Sequence, residues 1–138
     1  MFTCHEDLIY LFNEVLQIHD CSIVCGHRNE EDQHTAFTSH PQRSKLDWPN
    51  GKHNKDPSIA VDVSPYIAEV GIDANNPDHL KYFYHFSGGV LFLAAELCKQ
   101  GAMAHRIRWG GDWDSDKNMD DQTFNDLYHF ELVGVRDV

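Results

Sequence analysis

His53, Asp62 and His129 are the residues whose types and surroundings suggest chemistry. His53 closes a long polar stretch, Asp62 sits between Val61 and Val63 in an otherwise apolar segment, and His129 lies between Tyr128 and Phe130. A carboxylate in such a segment is costly to bury unless it is paired or bound to a metal. Two imidazoles and one carboxylate form a common catalytic zinc set that leaves the fourth position for water. Taken one at a time, each histidine reads equally well as a hydrogen-bonded structural group, and spacing alone favours that plainer reading. Asp126, three residues before His129, reads by itself as a turn or capping residue, and Arg28 as a surface cation. Asp112, Asp114, Asp116, Asn118 and Asp120 place oxygen ligands at alternate positions, as a calcium loop does. That loop has Lys117 where glycine is expected and Thr123 where a bidentate glutamate would stand, so a solvated acidic loop is the simpler expectation.

Composition narrows the partners. The chain has 138 residues, 41% hydrophobic and 24% charged, which suits one folded domain spanning residues 1–138. Its 11 Lys and Arg against 22 Asp and Glu give a net charge of −11. That balance argues against nucleic acid, which needs clustered basic charge, and against docking on anionic lipid. No apolar run approaches the roughly 18 residues of a membrane span. The acidic start, Met1-Phe-Thr-Cys-His-Glu-Asp7, is unlike a secretory signal, so a cytoplasmic chain is expected. Cys4, Cys21, Cys25 and Cys98 form no CxxC pair and are expected as buried thiols. Cys21 and Cys25 have zinc spacing for a helix, but the intervening Ser-Ile-Val reads as strand. Of the ten histidines, the eight outside the set read mostly as surface groups, with His27, His34 and His40 candidates to line a cleft.

Several elements must position these residues. Apolar residues from Leu8 to Ile18 recur at helical spacing, predicting a helix over about Glu6–His19. Cys21–Cys25 reads as a short buried strand ended by Gly26. Residues 27–54 are polar, carry Pro41, Pro49 and Gly51, and read as one long functional loop. Ser58–Val63 is a second strand closed by Pro65, and Asp78–Gln100 a second helix capped by Gly101. His105–Trp109 and Tyr128–Val133 complete the strands, the last with period-two alternation. The expected fold class is α+β: two main helices on a small, mainly antiparallel sheet.

Four segments in order carry a resemblance. His53-Asn-Lys-Asp-Pro-Ser-Ile-Ala-Val-Asp62 is similar to the ligand motif of the zinc peptidoglycan peptidases, in the longer form of their phage members. Asp126-Leu-Tyr-His-Phe-Glu-Leu132 resembles the acidic-x-x-His-x-Glu-Leu segment of that family. Gly26-His-Arg28 with Gln33 resembles its Gly-x-Arg and downstream Gln, and Arg108-Trp-Gly-Gly-Asp-Trp113 a segment preceding its last strand. The family groups D-alanyl-D-alanine carboxypeptidases and dipeptidases with L-alanyl-D-glutamate endopeptidases of phage lysis, on the hedgehog/DD-peptidase fold.

The resemblance implies that His53, Asp62 and His129 bind Zn2+, that Asp126 is the general base and that Arg28 faces the scissile carbonyl. It implies an L-alanyl-D-glutamate endopeptidase acting on peptidoglycan stem peptides as a phage or prophage endolysin, held in the host cytoplasm until lysis; a monomer is the default expectation. The alternatives are a D-alanyl-D-alanine carboxypeptidase or dipeptidase, a non-catalytic zinc-containing binding module, and an acidic structural phage protein. The expected Ca2+ candidate is the Asp112–Asp120 loop. One departure stands out: Gly51 occupies the place where the family usually has serine. Glu131 is expected either to point inward and accept from a ligand imidazole, or to remain solvated.

Overall fold

A computed structural model describes residues 3–120 and 125–135. It contains three α-helices, α1 (Glu6–Leu16), α2 (Glu30–Thr38) and α3 (Leu80–Lys99), and four strands, β1 (Cys21–Cys25), β2 (Ala60–Pro65), β3 (Arg106–Trp109) and β4 (His129–Val133). The strands form one sheet in the order β1-β2-β4-β3, and every neighbouring pair is antiparallel. The fold is α+β, as the sequence predicts.

The sheet sorts its side chains by alternation. On β2, Val61 and Val63 are fully buried; on β4, Phe130 and Leu132 are buried likewise. These pack under α1 and α3 through Leu8, Leu11, Phe12 and Val15 of the first helix and Phe83, Phe86, Val90 and Ala94 of the second. Phe12 meets the Phe130 ring edge-on at 5.4 Å. The opposite face carries the intervening residues: Asp62 on β2, His129 and Glu131 on β4, and Arg108 on β3. Asp62 pairs directly with His129, and Arg108 with Glu131. Period-two geometry therefore sends the apolar residues to the core and the chemistry to the other side.

Local chemistry explains the helix ends. The His5 ring accepts from Asp7 N at 3.0 Å, capping α1, while Glu6 and Asp7 complement its positive end. At the end of α3, Gly101 adopts φ +79, and the amides of Gly101 and Ala102 bond to Cys98 O and Leu97 O. This is the double bond pattern of a left-handed C-terminal cap, where glycine carries no steric penalty.

Four expectations change. The predicted long loop contains α2, capped by Asn29 Oδ1 accepting from Asp32 N at 2.9 Å. Only Gln33 and Ala36 of that helix are buried, so no apolar stripe announces it. β1 is an edge strand whose central residues are exposed, including Val24 at 60%, rather than a buried one. Pro65 belongs to β2 rather than ending it: it pairs with Cys21 of β1, and its nitrogen lies on the β4 side, where pairing stops at Asp62, so its missing N–H breaks no ladder bond. Of the cysteines, only Cys4 is buried; Cys21, Cys25 and Cys98 are partly exposed.

Candidate active site

His53 reaches the site from a single 3-10 turn, Lys52–Asn54, held against the start of the α2 segment. Arg28 N donates to His53 O at 2.8 Å, and Asn54 Nδ2 donates to Arg28 O at 3.1 Å and to Gln33 Oε1 at 3.0 Å. Asn54 Oδ1 accepts from Gly51 N at 2.8 Å. Gln33, 1% exposed, closes this knot: its Oε1 accepts from Arg28 Nη1 at 3.1 Å, and its Nε2 donates to Ser44 Oγ and Leu46 O. A polar segment with little apolar content is thus fixed by buried hydrogen bonds instead. The knot also explains Gly51. A Cβ there would stand 2.7 Å from Asn54 Oδ1 and 3.1 Å from Gln33, so the serine usual in the family has no room.

The proton positions of the two imidazoles follow from their outer partners. His53 Nδ1 lies 2.7 Å from Gly26 O, and His129 Nε2 lies 2.9 Å from Glu131 Oε1. A carbonyl and a carboxylate only accept, so each of those nitrogens carries the hydrogen. The remaining atoms, His53 Nε2 and His129 Nδ1, face each other at 3.3 Å and stand 3.3 and 3.4 Å from Asp62 Oδ1. Asp62 Oδ1 is buried and has no hydrogen-bond partner. With both rings neutral, three lone pairs aim at one point, one of them on an orphaned carboxylate oxygen, and form a cradle for a cation. His53, Asp62 and His129 are thus brought together as a group able to hold a metal ion. The outer acceptors Gly26 O and Glu131 are the kind that fix ligand tautomers. Glu131 is 4% exposed and also accepts from Arg108 Nη2 at 2.8 Å, which settles its inward orientation.

Without a metal the group is an ion network. Burial opposes charge on His53, but Asp62 and Cys25 outweigh it and raise the imidazole to about 10. Burial likewise opposes the Asp62 carboxylate, yet His129 and His53 hold it well below the ordinary range. His129 is raised against its burial by Asp62 and Glu131. Glu131, despite burial, is held down to about 2 by His129 and Arg108.

Asp126 and Arg28 both line the same cleft, of about 400 Å³, together with His53, His129, Glu131 and Trp113. Burial first, and the Asp62 charge second, push the Asp126 carboxyl above its usual value. A tight turn holds it: His129 N donates to Asp126 O at 3.1 Å and Asp126 N to Gly110 O at 3.0 Å. The Arg108–Trp113 motif serves this turn. A Cβ at Gly110 would collide with the main chain of Asp126, and one at Gly111 with the Trp109 ring. Arg28 Nη2 lies 3.6 Å from Asp62 Oδ2.

Other expectations fall outside the cleft. His27, His34 and His40 are not among its lining residues. His5 and His105 are not simple surface groups: the Asp7 Oδ2 atom accepts from Ala104 N, His105 N and His105 Nδ1, tying α1 to β3. That makes a second His/Asp/His group whose atoms are spent on structural bonds. Cys25 is the neighbour that spacing did not reveal. Its Sγ lies 3.9 Å from Arg28 Nη2, and its thiol is lowered chiefly by the His53 ring. The signal for it was its register, directly opposite Asp62. Trp113 was the other, its ring 5.3 Å from that of His129.

Comparison with known proteins agrees with this fold. The chain is similar to a crystal structure of the L-Ala D-Glu endopeptidase ChiX from Serratia marcescens, with TM-score 0.64 and 22% identity over 94% of this chain and 80% of that one. At that identity the likeness is one of fold. Comparison with curated proteins gave no match. The family model described as phage L-alanyl-D-glutamate peptidase matches residues 1–133, and the chain belongs to that family of peptidoglycan peptidases.

Proposed function

We propose that the chain cleaves the L-Ala–D-Glu bond of peptidoglycan stem peptides as a zinc enzyme, with His53, Asp62 and His129 as the zinc ligands. The observation that carries this reading is the convergence of His53 Nε2, His129 Nδ1 and Asp62 Oδ1 within 3.4 Å of one another, each histidine turned by an outer acceptor. A nitrogen- and oxygen-ligated site of three protein groups suits catalytic zinc, which keeps one position open. When bound, zinc supplies the Lewis acidity that activates water and polarises a carbonyl.

The chain's own residues supply the rest. Asp126, its carboxyl raised above its usual value, takes a proton from the attacking water and returns it to the departing amine. Arg28 is a permanent cation in the cleft, placed to stabilise oxyanion charge at the scissile carbonyl. The Glu131–Arg108 pair holds the His129 ring in its ligating orientation. The cleft also suits an anionic peptide: Arg28, Arg43, Lys45, Lys52 and Arg108 line it, in a chain with 11 Lys and Arg and a net charge of −11. A D-glutamyl residue joined through its amine and one carboxyl keeps its other carboxylate free, and this rim favours such a group.

Mass spectrometry of purified sacculi after digestion tests the reading. Stem peptides beginning at D-Glu, lost on chelation and restored by zinc, are the expected products. Loss of only a terminal D-Ala would move the chain to the carboxypeptidase reading. Bound zinc without cleavage would leave a binding module.

A further inference from the structure

The open edge of the sheet carries a second cavity, of about 640 Å³, that the peptidase reading does not use. β3 is the terminal strand in the order β1-β2-β4-β3, so one side of its main chain has no neighbouring strand. Alternation fixes which groups that side presents. Gly110 N donates to His129 O at 2.8 Å, whereas Leu132 N donates away from β3, to Ile59 O at 2.9 Å. Ile107, paired with Leu132, therefore turns its own N–H and C=O outward to the open edge. An unpaired strand edge is a template for an extended peptide.

The cavity gives that edge its walls. Leu91, Ala94, Ala95 and Cys98 of α3 form an apolar side next to Ile107, which itself packs against the core. Arg106 and Arg108, two apart on the strand, share the opposite face and also line the cavity. Asp112 and Asp114 of the following loop stand in its lining too; Thr123 of that loop lies outside the described residues. Arg108 and Trp113 line both this cavity and the catalytic cleft, so the two adjoin. Arg108 spends Nη2 on Glu131, while its Nε is buried with no hydrogen-bond partner among the described residues. A buried donor left unpaired is costly, which favours an acceptor at that boundary.

We propose, building on the peptidase reading, that this groove is an extended subsite for the stem peptide beyond D-Glu. Arg108 lines the cleft and Arg106 does not, so a peptide leaving the cleft meets Arg108, Ile107 and Arg106 in that order. The diamino-acid residue after D-Glu pairs its main chain with Ile107. Opposite residues on antiparallel strands share a face, which lays its aliphatic stem on the α3 wall. The D-Ala that follows brings its terminal carboxylate to Arg106. Binding energy from such remote residues is used at the reacting bond.

Two substrates test this on the zinc-loaded chain: N-acetyl-L-Ala-D-Glu, and the N-acetyl tetrapeptide that adds a diaminopimelyl residue and D-Ala. The tetrapeptide should have a kcat/KM higher by about tenfold or more. In Ala95→Trp, which fills the groove from the exposed side of α3, that ratio should fall toward one. Arg106→Gln should abolish the preference for the tetrapeptide over its C-terminal amide. A second arm needs no turnover. The product γ-D-glutamyl-diaminopimelyl-D-Ala, titrated into the full chain, should shift the amide resonances of Ile107 and Ala94. Such shifts without cleavage of either peptide would uphold the subsite while overturning the peptidase reading. Equal kcat/KM for the two peptides, a ratio unchanged in Ala95→Trp, or product shifts confined to the catalytic cleft would overturn the subsite.

Discussion

Asp126 and the proposed zinc ligands make separable demands, and single substitutions can tell them apart. Asp126 lines the cleft but is not one of the three converging ligand residues, so Asp126→Ala should keep zinc while hydrolysis falls by about 10²–10⁴-fold. Metal content and turnover on the same preparation check this, and loss of zinc would make Asp126 a ligand. A second outcome concerns protons. In the metal-free protein His53 is raised to about 10 and so carries charge at neutral pH, and His129 is raised as well. A metal ligand must be neutral, so zinc binding at pH 7 should release protons, and apparent zinc affinity should climb as pH rises toward about 10. Titration in buffers of different ionisation enthalpy measures the release. Glu131→Gln removes the carboxylate behind His129 and should weaken zinc binding by about 10–100-fold.

At the scale of elements, the turns around the site are set by close backbone approach. Gly110 lies against the main chain of Asp126, which cannot move without displacing His129. Gly110→Ala should therefore reduce turnover far more than a surface Gly→Ala, at a cost of about 1–3 kcal/mol in stability. Thermal unfolding and hydrolysis measured together check it; Gly71, with open space around it, is the control. The helix α2 depends on its cap rather than on a core face. Asn29→Ala should cost about 1 kcal/mol and loosen the knot around Gln33 that holds Arg28. Amide exchange over residues 29–54 reads that loosening.

Across the whole molecule, acid should unfold the metal-free protein through its buried carboxylates. Glu131 is held down to about 2 against an unfolded value of about 4.3, so its contribution to stability is complete above that unfolded value and is lost as pH falls toward 2. The loss is on the order of 2–3 kcal/mol for this group alone. Chemical unfolding measured between pH 5 and pH 2 should show it, and Glu131→Gln should flatten the profile. The charge layout sets substrate approach in the same way. A cationic cleft in an anionic molecule should make sacculus hydrolysis fall as salt rises, because screening shortens the reach of its five cations.

Residue types in the sequence were enough for the apolar periodicities of α1 and α3, the alternation of β4, and the segments that carry the ligand motif. These are legible because amphipathic spacing and short motifs are local properties of the chain. His53, Asp62, His129, Asp126 and Arg28 could all be named from it, since the motif preserves their order. It could not show α2, whose stability comes from an asparagine cap and buried hydrogen bonds rather than an apolar stripe. Nor could it show that β1 is an exposed edge, because burial depends on which strands lie beside it. The meeting of His53 with a strand pair 76 residues away at His129, the tautomers set by Gly26 O and Glu131, and the lone buried oxygen of Asp112 are tertiary facts. Each depends on distances between segments remote in sequence or on burial by the folded chain, and residue order alone fixes neither.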